Sequence, residues 1–224
     1  MIRQLIFIIT LLATFGVFAY TIRRYFVYFR LTKPFPVGNI GRRFLLMLEV
    51  ALFQSKIFRQ PVIGLLHAFV FWGFCVISLG TAEMVIDGIA GTSKVLSGWG
   101  IVYKIITASG DIFALIVLIA VVVFLFRRLF SGIERFTGVE MKEKSHLDAI
   151  MALFLIFVLM VSLLAMNTFD ILYNAGEVKG IFPVSNYFVP LFRHLQPEQS
   201  HIYFEINWWI HIVLIFIFAN YLPY

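Results

Sequence analysis

An all-α membrane fold with five transmembrane helices is predicted by three observations. Of the 224 residues, 61% are hydrophobic and only 13% charged, and the mean hydropathy is +0.94. Soluble domains run nearer half apolar and a quarter charged. Five apolar runs are each long enough to cross ~30 Å of hydrocarbon, which takes roughly 20 helical residues. Basic residues also gather in alternate connections, as in a chain threaded back and forth through a bilayer. The net charge of +6 would suggest a nucleic-acid partner in a soluble protein. Here those basic connections explain it, and no nucleic-acid partner is expected. Cys75 is the single cysteine, so these residues carry no disulfide framework, cysteine-ligated iron–sulfur cluster or all-cysteine zinc site.

The first span runs near Ile2–Tyr25. Arg3 followed by apolar residues also fits a signal peptide. The run is long, however, lacks an A-x-A cleavage pattern and is followed at once by Arg23 and Arg24, so a retained span fits better. The second span, Pro61–Glu83, contains His67. The third is placed near Ile101–Phe126, with Lys104 and Asp111 expected close to the headgroups. The fourth runs Leu147–Phe169 and opens on Ser145-His146, where Ser145 reads as an N-cap. The fifth, Phe204–Leu222, contains His211 behind Trp208 and Trp209. Residues 1–224 thus form one transmembrane domain. The final Asn220-Tyr221-Leu222-Pro223-Tyr224 has no basic anchor and reads as the front part of a longer chain.

Lys and Arg set the orientation. Arg23, Arg24, Arg30, Lys33, Arg42, Arg43, Lys56 and Arg59 follow the first span. Arg127, Arg128, Arg135, Lys142 and Lys144 follow the third. The other connections carry only Lys94 and Lys104, then Lys179 and Arg193. The positive-inside rule places the N-terminus outside and the C-terminal end inside a bacterial or archaeal cytoplasmic membrane. Residues 41–58 space apolar side chains helically among Arg42, Arg43 and Lys56, which predicts an amphipathic helix on the inner face or a docking surface for a cytoplasmic partner. The connection 173–201, with Pro183, Pro190 and Pro197, is expected to be an ordered loop over the outer mouth.

Ionisable residues inside a span are costly and mark functional sites. His67 and His211 are therefore the leading candidates, because imidazole is a common ligand of haem iron. His67 lies six residues past Pro61, about 9 Å below the inner surface, and His211 six past Glu205, about 9 Å below the outer one. With ~30 Å of core they differ in depth by roughly 12 Å and belong to separate sites. Gly64 and Gly73 leave room for a flat macrocycle or for a close helix contact. Competing readings are a bundle hydrogen bond for His67 and an interfacial aromatic belt around His211. His146 is a third cofactor-binding candidate, although a capping histidine at the inner surface fits it better. His194 and His201 are expected in solvated loop positions. Glu83, Asp87, Asp111, Asp170 and Glu205 read as ordinary span terminators, one of which could take protons from a quinol. Cys75 reads as a small packing residue.

Five spans with a histidine early in the second and another in the fifth resemble the haem b gamma subunit of respiratory nitrate reductase. Three stretches are closer to a related branch, the membrane domain of heterodisulfide-reductase-type iron–sulfur oxidoreductases. They are Gly64–Phe74 (GLLHAFVFWGF), Trp208–His211 (WWIH) and Asn220–Tyr224 (NYLPY). The resemblance implies one or two haem b groups held between the second and fifth helices, with His67 and His211 as iron ligands, in a bundle made by helices two to five. It also implies electron transfer between a menaquinone or ubiquinone pool and a cytoplasmic iron–sulfur reductase, whose clusters lie in a partner or in a cytoplasmic region of a longer chain. Two departures stand out. The nitrate reductase pattern has a second histidine deeper in the second span, where Phe69–Ala82 has none, and another near the inner end of the fifth, where this sequence stops. The alternatives are a cofactor-free membrane anchor for a soluble partner and a transporter. The almost purely apolar span centres count against the transporter.

Overall fold

The computed structural model describes residues 1–33, 38–130, 143–175 and 177–223, with side chains except at residue 59 and residues 143–146. It is all-α, with no strand among the described residues. Five helices are long and apolar enough to cross a membrane: α1 (Ile2–Arg30), α3 (Pro61–Ala90), α4 (Ile101–Phe130), α5 (Glu143–Tyr173) and α7 (Pro197–Tyr221). The short helices α2 (Ile40–Met47) and α6 (Ser185–Phe188) lie in connections.

Each long helix overruns its hydropathy-defined span. At ~1.5 Å per residue, the 30 residues of α3 extend about 45 Å, well beyond the hydrocarbon thickness. Helix α3 continues past Glu83 until Gly91, whose φ of 70° suits a residue without a Cβ and stops the helix. Helix α7 begins at Pro197, seven residues before the predicted start. The proline occupies the first turn, where its missing N–H costs nothing, and Gln196 and Gln199 form a capping box around it.

Helices α3, α4, α5 and α7 pack in the order α3–α4–α5–α7, and α1 bridges α3 and α7 from outside. One core cluster joins Ala114, Val117 and Val121 of α4 to Leu159, Met160 and Leu164 of α5. A second gathers Phe7 and Leu11 of α1 with Met166, Trp208, Ile212 and Phe216. Glycines set the close approaches. Gly73 meets Val117, Gly64 meets the Ile57 backbone, and Gly88 faces the ring of Phe7. The space left by Gly64 and Gly73 is thus taken up by packing, which is the second of the two uses expected for it.

Helices α1, α4 and α7 begin, and α3 and α5 end, at one face of the bundle, here called the cavity face. Among the described residues, Arg23, Arg24 and Arg30 of α1, Arg127 and Arg128 of α4 and segment 38–60 lie at the opposite, basic face. Tyr25 and Tyr221 tie chain segments together there, donating to the Pro223 carbonyl and to Asp148. Segment 40–53 holds the predicted amphipathic stretch as α2 followed by a π turn. Ile40, Phe44, Leu45, Leu46 and Met47 are all exposed, and Leu52 accepts the Trp72 indole N–H at 2.8 Å.

Candidate functional site

Helices α3 and α7 do not close against each other at the cavity face. A cavity of about 320 Å³ separates them. Val76, Gly80 and Glu83 line it from α3, Tyr103 and Asp111 from α4, Asn167 and Asp170 from α5, and Phe204, Trp208 and His211 from α7. The volume lies at the small end of the range for cofactor and small-molecule sites. Gly80 contributes to it directly, since a Cβ there would meet no atom within 4 Å.

His211 is the lining histidine and is only 1% exposed. Its Nδ1 lies 3.0 Å from the Leu159 carbonyl oxygen and 3.0 Å from Ser162 Oγ. A carbonyl can only accept, so Nδ1 carries the proton. The Ser162 hydroxyl is itself turned to the Leu159 carbonyl at 2.9 Å. That tautomer leaves Nε2 with a free lone pair. A histidine anchored through one nitrogen, with the other unprotonated, is the arrangement found in metal-ligating histidines.

His67 stands in a different environment. Its ring is exposed and lies tilted against Phe124, centroids 4.3 Å apart, and its Nδ1–H donates to the Ile63 carbonyl at 2.8 Å. The tautomer matches that of His211 and again leaves Nε2 free. The burial expected of a histidine inside an apolar span is absent, because this face of α3 is uncovered among the described residues. His67 does not line the cavity. Its neighbour Phe124 lies thirteen residues along α4 from Asp111, about 20 Å of helix. The two histidines therefore do not meet.

The remaining histidines divide simply. His146 belongs to the first turn of α5, and its side chain lies outside the described residues. His194 is exposed in the loop. His201 lies tilted against Tyr173, ring centroids 4.5 Å apart, with Nε2 3.8 Å from Glu205. Among the described residues no three His, Cys, Asp or Glu side chains gather as a cage for a bare metal ion.

The acidic residues depart most from expectation. Three of the five that read as span terminators, Glu83, Asp111 and Asp170, are buried. Asp111 is 1% exposed and accepts four hydrogen bonds. The N–H groups of Val184 and Ser185 reach Oδ2 at 2.7 and 2.9 Å, while the Ser185 hydroxyl and the Asn167 amide reach Oδ1 at 2.5 and 3.1 Å. It pins loop 177–196 across the helix ends, which is the ordered loop expected there. Asp170 holds the Lys94 ammonium and the Asn174 amide. Asp87 accepts from the Thr92 hydroxyl and from the N–H groups of Lys94 and Val95. Glu205 pairs with Arg3 at 2.6 Å, and that guanidinium lies 4.5 Å over the Trp208 ring. A signal for Asp111 existed in the sequence. It stands ten residues into α4, about 15 Å from the helix start and too deep for a headgroup position.

Comparisons with known proteins give two distant relatives. The chain is 24% identical over 222 residues to the Bacillus subtilis protein named "Probable iron-sulfur-binding oxidoreductase FadF", a match covering 99% of this chain and 30% of the relative. It is 21% identical over 174 residues to the "EtfAB:quinone oxidoreductase" of Syntrophomonas wolfei, covering 76% of this chain and 24% of the relative. The chain thus spans less than a third of the length of either relative. Both are named as oxidoreductases, one for iron–sulfur binding and one for quinone, and neither as a nitrate reductase subunit. No protein-family model matches the chain, and no solved structure matches it.

Proposed function

We propose that this chain is a membrane electron-transfer domain that passes electrons between a quinone pool and an iron–sulfur reductase, with haem b as its carrier. One observation carries the reading. A fully buried histidine with a free Nε2 stands in a cavity that holds the second and fifth membrane helices apart. Fixing one ring nitrogen on a backbone carbonyl orients the other and raises its basicity as a ligand. His211, and at a separate level His67, would each hold haem iron, and the haem would supply one-electron redox chemistry there. His146, on α5 at the basic face, remains the third ligand candidate.

Quinone chemistry at the cavity face is supported by the acidic and hydroxyl side chains that surround the cavity, since reduction of a quinone takes up protons and oxidation of a quinol releases them. The quinone named for the Syntrophomonas wolfei relative and the iron–sulfur binding named for the Bacillus subtilis one suit the two ends of such a path. In this reading the basic face lies at the cytoplasmic side, where iron–sulfur clusters would be carried by a partner or a further domain.

The test is a reduced-minus-oxidised absorption spectrum of the full-length protein in detergent, beside His67→Ala and His211→Ala. A b-type haem band that weakens in His211→Ala is the expected result. A folded protein without haem overturns the proposal and leaves a membrane anchor for a soluble oxidoreductase.

A further inference from the structure

Four carboxylates line the cavity, and their hydrogen bonds divide them. A carboxylate offers about four lone-pair sites. Asp111 has all four engaged by loop 177–196 and Asn167, and Asp87 has three engaged by the turn that follows α3. Asp170 is paired with the Lys94 ammonium. Glu83 differs from these. It is nine-tenths buried, accepts one backbone N–H, that of Leu96 at 3.0 Å, and has the Tyr103 hydroxyl beside it. The charged groups facing it are Asp87 on its own helix and Lys94 on the following turn, whose ammonium is already held by Asp170. Lone pairs of Glu83 therefore remain available in the wall of the cavity.

We infer that Glu83 is the residue that exchanges protons with a quinol bound in this cavity. The inference rests on the quinone reading above and assigns its proton-transfer group. When a quinol gives two electrons, one at a time, to one-electron carriers of the haem or iron–sulfur class, two O–H bonds must break. Each proton passes to a carboxylate oxygen of Glu83, where an O–H bond forms, and leaves through the open mouth before the next arrives. The product is the quinone, with two protons released and two carriers each reduced by one electron. Asp87, Asp111 and Asp170 hold the walls, and the Tyr103 hydroxyl donates a hydrogen bond to the Glu83 carboxylate.

The experiment uses the full-length protein in native membranes, menadiol as electron donor and a soluble one-electron dye as acceptor. Glu83→Gln keeps the shape and still accepts the Leu96 N–H, while Glu83→Asp keeps the acid. Menadione quenching of tryptophan fluorescence, with Trp208 in the cavity wall, reports binding independently. The expected result is a turnover lowered about 100-fold in Glu83→Gln, with KM and quenching unchanged and with substantial activity kept by Glu83→Asp. Wild-type turnover in Glu83→Gln overturns the assignment, and so does loss of quenching together with turnover. Failure of menadiol to turn over or quench in the unmutated protein removes the quinone reading itself, and the assignment with it.

Discussion

Asp111 shows how much one buried side chain organises here. Its two oxygens satisfy two backbone N–H groups, a hydroxyl and an amide that would otherwise be stranded beneath loop 177–196. Removing the acceptor leaves those donors unpaired, and each such group costs about 1–3 kcal/mol. Asp111→Ala is expected to lose on the order of 3 kcal/mol, read as a clearly lower thermal midpoint in detergent and as new protease cleavage within 177–196. An unchanged midpoint would show that the loop is held by other contacts. At this scale the sequence was only partly readable. His211 announced itself as a histidine among apolar residues, but its partner Ser162 stands 49 positions away and is set by how α5 packs on α7. His67 looked equally buried, because α3 is apolar on every side and no face is marked as inward.

The elements were more legible than their ends. Hydropathy located every long helix, since 20 or so apolar residues leave little alternative in a bilayer. The ends were missed where helices run on into polar sequence, as α7 does from Pro197, because hydropathy marks hydrocarbon and not hydrogen bonding. Close packing between elements depends on glycines whose use the sequence left open. A Cβ at Gly88 would strike the Phe7 ring, whereas one at Gly80 would meet only the cavity. Gly88→Ala is expected to cost about 1–3 kcal/mol by overpacking the contact of α1 with α3. Gly80→Ala is expected to be neutral or slightly stabilising, because alanine favours helix by about 1 kcal/mol over glycine. Thermal unfolding of the two variants side by side checks this. Equal loss in both would contradict the packing assigned to α1.

Across the whole molecule, charge and chemistry separate to opposite faces. Arg23, Arg24, Arg42 and Arg43 belong to one face, while the cavity and its carboxylates open toward the other. With Cys75 replaced by serine, a cysteine introduced at Lys179 is expected to react with a membrane-impermeant maleimide in intact cells, and one introduced at Arg42 to react only after lysis. The reverse pattern would invert the orientation and put the cavity on the cytoplasmic side. Both distant relatives are three to four times longer than the matched region. In the proposed function, electrons enter through the cavity and pass to haem held by His211. The most direct test is anaerobic reduction of the full-length protein by menadiol, followed at the haem absorption band, beside Glu83→Gln, which removes the proton acceptor of the cavity wall and leaves His211 in place. The expected result is a band reduced quickly by menadiol in the unmutated protein, and in Glu83→Gln a band reduced by dithionite as before but by menadiol about 100-fold more slowly. Equal reduction of both proteins by menadiol, or a folded protein with no haem band, would contradict it.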